Sequence, residues 1–257
     1  MYQNMRGLKW HPFGNKPEQG LFQQAEVPAY MPGYIYNEPG PLHRSFVYAQ
    51  ASEALVPGLM TTSKALAGAA SNLQTQCSVT VAALAGDTRL YVNAETTAQA
   101  ADLFEFGLAT IEDVSPTLNL YPIPIIGNSL LATTGTASYI DLAYPLPVDI
   151  TTSDKVDLSV NPWAGVRSCP VTTVDGMPTG VPLINVTSGY YAWVKTWGMC
   201  SNYLKTGVMV SGVDVLIDVV AGAVLSDTAA IASSRVGYVI NIGTDEHSTQ
   251  VFLQITR

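Results

Sequence analysis

The sequence predicts a mostly β protein: an antiparallel β-barrel or sandwich body, in one or two β units, behind an extended N-terminal arm rich in proline and aromatic residues. Three observations carry this. From Ser45 onward, short runs rich in Val, Ile, Thr and Tyr alternate with Gly, Pro, Asn and Asp turns, the pattern of pleated strands joined by tight connections. Residues 1–50 hold six of the 16 prolines, too many for a helix or a central strand to persist. No internal repeat of fixed period is visible, which sets solenoids and propellers aside.

The arm, residues 1–44, comes first. Pro12, Pro17, Pro28, Pro32, Pro39 and Pro41 hold it extended with turns. Disordered linkers are poor in aromatics, yet Trp10, Phe13, Phe22, Tyr30, Tyr34 and Tyr36 lie here. Such anchors suit an arm that orders on a partner's surface, and these six are candidate interface residues; the alternative is an arm that wraps its own body.

A first β unit is expected over residues 45–148. Its candidate strands are Phe46 to Ala49, Cys77 to Val81, Arg89 to Val92, Leu108 to Glu112, Thr117 to Leu120 and Ala137 to Leu142. The Ala-rich stretch Thr96 to Phe104 fits either a helical turn or a strand connection. Leu142 to Val160 reads as the link between units, since Pro145 and Pro147 stay out of central ladders.

A barrel-like C-terminal unit, 149–257, follows, with strands at Tyr190 to Thr196, Val208 to Val210, Gly237 to Ile240 and Gln250 to Ile255. In the first of these, Tyr191, Trp193 and Lys195 share one face while Ala192, Val194 and Thr196 share the other, so either face qualifies as core. Trp193 and Trp197 join the interface candidates.

Composition narrows the function. The chain is 47% hydrophobic and only 12% charged, about half the charge of an average soluble domain. A surface so poor in charge is expected to be covered by other chains. No run reaches the about 20 apolar residues of a membrane-spanning helix; Val213 to Leu225 is broken by Asp214 and Asp218. The N-terminal residues lack the apolar core of a secretory signal. A net charge of −8 without a run of three basic residues argues against direct nucleic-acid binding.

Residues for catalysis are sparse. Of three histidines, His11 and His43 fall in the arm and His247 in a polar turn. No HExxH, GxSxG or Gly-rich phosphate loop occurs. Glu112-Asp113 and Asp245-Glu246 are isolated acidic pairs without calcium-loop spacing. Cys77, Cys169 and Cys200 form no CxxC pair and read as buried small apolar residues. No enzyme, metal or cofactor is expected.

Three passages bring a family into view. Asp149-Ile150-Thr151-Thr152-Ser153-Asp154-Lys155-Val156-Asp157-Leu158, continuing through Asn161-Pro162-Trp163-Ala164-Gly165-Val166, resembles a T-T-S-K-V-D-L-x-x-N-P-Y-x-G-V stretch. Gly189-Tyr190-Tyr191-Ala192-Trp193-Val194-Lys195-Thr196-Trp197-Gly198 is similar to a G-Y-x-W-V-Q-T-x-G-P strand, with Lys195 for Gln and Met199 for Pro. Arg235-Val236-Gly237-Tyr238-Val239-Ile240, then Ser248 to Ile255, resembles the closing strands. In all three the chain resembles the head decoration (cement) proteins of tailed bacteriophages. The resemblance, over about residues 45–257, implies a virion protein on the outer capsid surface, made in the host cytoplasm, that bridges subunits of the major capsid protein and associates with copies of itself as a trimer or dimer. A head-fibre or tail module binding host glycans, and another capsid subunit, are the alternatives.

Overall fold

The computed structural model describes residues 17–39, 43–64, 73–113, 119–169, 176–203, 214–217, 224–226, 235–241 and 248–255. Among them every regular element is a strand. The chain begins with β1 (Ile35–Asn37), β2 (Ser45–Ala51) and β3 (Thr61–Thr62). Six strands follow: β4 (Leu73–Val81), β5 (Arg89–Val92), β6 (Leu108–Asp113), β7 (Asn119–Asn128), β8 (Tyr139–Leu142) and β9 (Lys155–Ser159). The remainder comprises β10 (Ala164–Ser168), β11 (Pro178–Pro182), β12 (Tyr191–Tyr203), β13 (Asp214–Ile217), β14 (Val224–Ser226), β15 (Arg235–Asn241) and β16 (Ser248–Gln254).

These make two compact units, divided differently from the sequence expectation. One holds β4 to β9; the other joins residues 17–64 to residues 162–255. The boundary expected at 148/149 falls inside the first unit, because the stretch read as a linker contains β9. Likewise β2 and β3, expected in the first unit, pair with β10, β11 and β12. The first unit is therefore an insertion in the second.

The inserted unit is a closed barrel in the order β4-β5-β8-β7-β6-β9. Alternation dictates its interior: Leu90 and Val92, Ala109 and Ile111, Ile140 and Leu142, Val156 and Leu158 all turn inward and are buried, as period-two strands require. β7 accommodates two prolines because Ile125 donates to the Gly107 carbonyl on the β6 side. Pro122 and Pro124 thus turn their nitrogens to the opposite side, where β8 pairs only from Ile125 onward, and no ladder donor is lost. The barrel closes where Leu73 of β4 faces Ser159 of β9, so its two ends are neighbours. The Thr96 to Phe104 stretch is a run of bends and turns bridged to Leu131 at Gln99; it is a connection, not a helical turn.

The second unit is a ten-stranded sheet, β1-β2-β10-β3-β11-β12-β16-β15-β13-β14, in which β12 also pairs with β2. That extra pairing makes β2, β10, β3, β11 and β12 a closed ring, filled by Val47, Ala49, Ala51, Leu55, Val166, Val186, Ala192 and Val194. After a register shift between Lys195 and Trp197, Trp197 still faces Ser45 of β2; from Trp197 onward β12 runs beside β16 for seven residue pairs. The inner face of this extension packs Met60, Cys169, Val181, Cys200, Val215, Val236, Val239, Val251 and Leu253. The expected strand Val208 to Val210 lies outside the described residues.

Candidate interaction surface

The arm's aromatic residues divide sharply. Tyr30 is buried, and Tyr34 and Tyr36 are partly buried, in a cluster with Phe46, Tyr48 and Trp193 of their own unit. Tyr30 stacks on Tyr34 with ring centres 4.9 Å apart and meets Trp193 at 5.4 Å. Buried aromatic rings bring large apolar area and favourable edge and offset contacts, so the described part of the arm is a strap over its own sheet. This corrects the expectation for Tyr30 and Trp193, which are buried within the chain; Tyr34 and Tyr36 pack against them and stay partly exposed. Trp10 and Phe13 lie outside the described residues.

Gln19 fastens the strap. Its backbone carbonyl accepts the Trp193 indole N–H at 2.9 Å, and its Nε2 donates to the carbonyls of Gln23 and Tyr191 at 2.9 and 3.0 Å. Its Oε1 accepts from the Tyr48 hydroxyl. Burial and loss of hydration raise the Tyr48 pKa to about 12, because an ionised phenolate would be poorly solvated there. Phe22, by contrast, is 68% exposed, and Val27 also faces outward.

A second apolar surface was not anticipated as a unit. On the outer face of the sheet extension, Met199 of β12 sits opposite Phe252 of β16, which sits opposite Tyr238 of β15. Met199 and Tyr238 are exposed, as is Ile240 two residues along β15, and Phe252 is half-buried. Trp197 completes the row edge-on to Phe252 at 5.6 Å. Polar groups border it: Gln250 and Gln254 are exposed on β16, and the Arg235 guanidinium lies 4.1 Å from the Tyr238 ring centre while pairing with Asp214 at 3.1 Å. An apolar centre with a polar rim is the anatomy of a protein contact. The alternation of Val251 and Leu253 with Phe252 carried a sign of it, but only the pairing of three strands aligns the row.

Burial pushes the Cys77 thiol up to about 12 and the Cys200 thiol up to about 11, so neither supplies a thiolate at neutral pH. Among the described residues, no group of three His, Cys, Asp or Glu is placed to hold a metal, and no helix is long and apolar enough to cross a membrane. His43 is exposed; His11 and His247 lie outside the described residues. Fold and surface together define an all-β protein of two units, one a closed barrel, with an outward-facing apolar row. Comparison with protein-family models, curated proteins and solved structures finds no match.

Proposed function

We propose that this chain is a non-catalytic structural protein of a virus particle, one that decorates and cements the outer surface of a bacteriophage capsid by bridging neighbouring major capsid subunits. The observation that carries the reading is the row Met199–Phe252–Tyr238, turned to solvent in a chain with only 12% charged residues. Contiguous exposed apolar area of this kind marks a surface made to be covered. The three-passage resemblance to cement proteins supplies the identity of the cover. Phe22 and Val27 on the strap and Leu84, Leu120 and Leu130 on the barrel unit are also exposed, and several weak contacts made at once give firm attachment.

Purified chain added to expanded shells should bind saturably and raise their thermal disruption temperature. Shells that melt identically with and without it sink the proposal. Replacing Met199 and Tyr238 together by Ser should weaken that binding while the isolated chain keeps its unfolding temperature. Copy number in purified particles separates the roles: near parity with the major capsid protein fits cement, and a handful of copies fits a fibre or tail position.

A second reading has one observation in its favour. Trp197, Phe252 and Tyr238 share a face with the amides of Gln250 and Gln254, and aromatic faces beside amides suit the flat apolar side and hydroxyls of a sugar ring. Saturable binding on a glycan array would move the assignment to a head-fibre or tail module.

A further inference from the structure

Lys195 stands where a lysine is costly. It is 4% exposed, and lysines are almost never so buried unless paired. Its ammonium donates to the Met199 carbonyl, which uses one of its three donors. It forms no ion pair among the described residues. Arg44 and Glu38 act on it in opposite directions and are paired with each other through two bonds, one at 2.6 Å. Desolvation accordingly lowers the Lys195 pKa.

Lys195 and Arg44 line a cavity of about 560 Å³ with Ser201, Asn202 and Ser248, a volume in the range of small-molecule sites. Asn202 is 1% exposed, and neither its Nδ2 nor its Oδ1 has a partner. Leaving one such group unsatisfied costs about 1–3 kcal/mol. Among the described residues, a buried cation without a counter-ion and a buried amide without partners therefore meet in the wall of one cavity. Among the described residues the cation has no anion, the amide N–H no acceptor and the amide oxygen no donor.

We propose that this cavity binds a small carboxylate that also carries a hydrogen-bond donor, held by the Lys195 ammonium and the Asn202 amide. Two sources share that chemistry: a free hydroxy acid, and an Asp or Glu side chain with its own backbone N–H, presented by a partner chain.

The test uses the full chain with sodium malate, N-acetyl-aspartyl amide and, at equal ionic strength, sodium chloride, followed by calorimetric titration and thermal unfolding. At least one carboxylate should bind saturably and raise the unfolding temperature beyond the chloride control. Response to malate alone identifies a free hydroxy acid; equal or stronger response to the blocked aspartate identifies a partner's side chain. Lys195→Met should weaken binding at least tenfold, and so should Asn202→Asp, which repels an anion while keeping the side chain's shape. The second variant decides the matter if the first fails to fold. No response above chloride from either carboxylate, or an undiminished response in a folded variant, overturns the proposal.

Discussion

The indole N–H of Trp193 donates to the backbone carbonyl of Gln19 at 2.9 Å, joining residues 174 positions apart. The bond ties the strap to the strand that forms the middle of the second unit. It also explains how a Trp reaches full burial without leaving its N–H unsatisfied.

Trp193→Ala should therefore destabilise this unit by about 3–5 kcal/mol, the usual cost of deleting a large buried aromatic side chain. Gln19→Ala, which removes two donors and the acceptor for Tyr48, should cost about 1–3 kcal/mol. Denaturant unfolding curves measure both. A change below about 0.5 kcal/mol in either would mean that the strap contributes nothing to the fold.

Tyr48 makes the fold sensitive to alkali. Its pKa is about 12 in the folded chain against an ordinary value of 10.0, so between these values the folded state holds a proton that the unfolded state has lost. Stability is then full below pH 10 and falls as pH rises through 10 to 12, by up to about 2–3 kcal/mol for a shift of this size. Tyr48→Phe should flatten that part of the stability–pH curve, measured by urea unfolding at successive pH values.

Gly107 admits no side chain. A Cβ there would lie 2.1 Å from the Ser159 carbonyl oxygen and 2.9 Å from that of Phe104. Both obstacles are backbone, so relief requires β9 to move out of register with β6. Gly107→Ala should cost the barrel about 1–3 kcal/mol or more, read as a lower unfolding temperature. Gly86→Ala, with open space at its Cβ but a positive φ of 99°, should act through backbone strain alone and cost about 1 kcal/mol.

The barrel should fold without the rest of the chain. Leu73 and Ser159 are opposed in the closing ladder, and the unit has its own core from Cys77 to Val160, the two properties that let a domain stand as an insertion. Residues 73–161 expressed alone should give a strand-type circular dichroism spectrum and a cooperative thermal transition; a chain that stays unfolded would falsify this.

Much of this architecture was legible along the chain. Arg89 to Val92 was read at its observed limits because Leu90 and Val92 alternate cleanly with exposed or half-exposed neighbours. Phe46 to Ala49 and Gln250 to Ile255 were found within a few residues. β9 was not, because Lys155–Ser159 has only two inward residues and follows a proline-rich stretch that resembles a linker. β3 has two residues, too few for any periodicity. The interaction surface was half visible: Phe22 and Trp197 belong to exposed or half-exposed positions, but Met199, Phe252 and Tyr238 become one surface only when three strands set their register.

The strand Tyr191–Tyr203 marks the division most clearly. By itself the sequence determined a strand over Tyr190 to Thr196, with Trp193 and Val194 on opposite sides, since strand geometry fixes alternation locally; its continuation to Tyr203 came only with the pairing to β16. Which side is core depends on what lies across each face. Tertiary structure made both sides core: Ala192 and Val194 fill the closed ring, while Trp193 is covered by the strap. The same strand pairs with β2, β11 and β16, contacts whose partners lie far apart along the chain and leave no local signature.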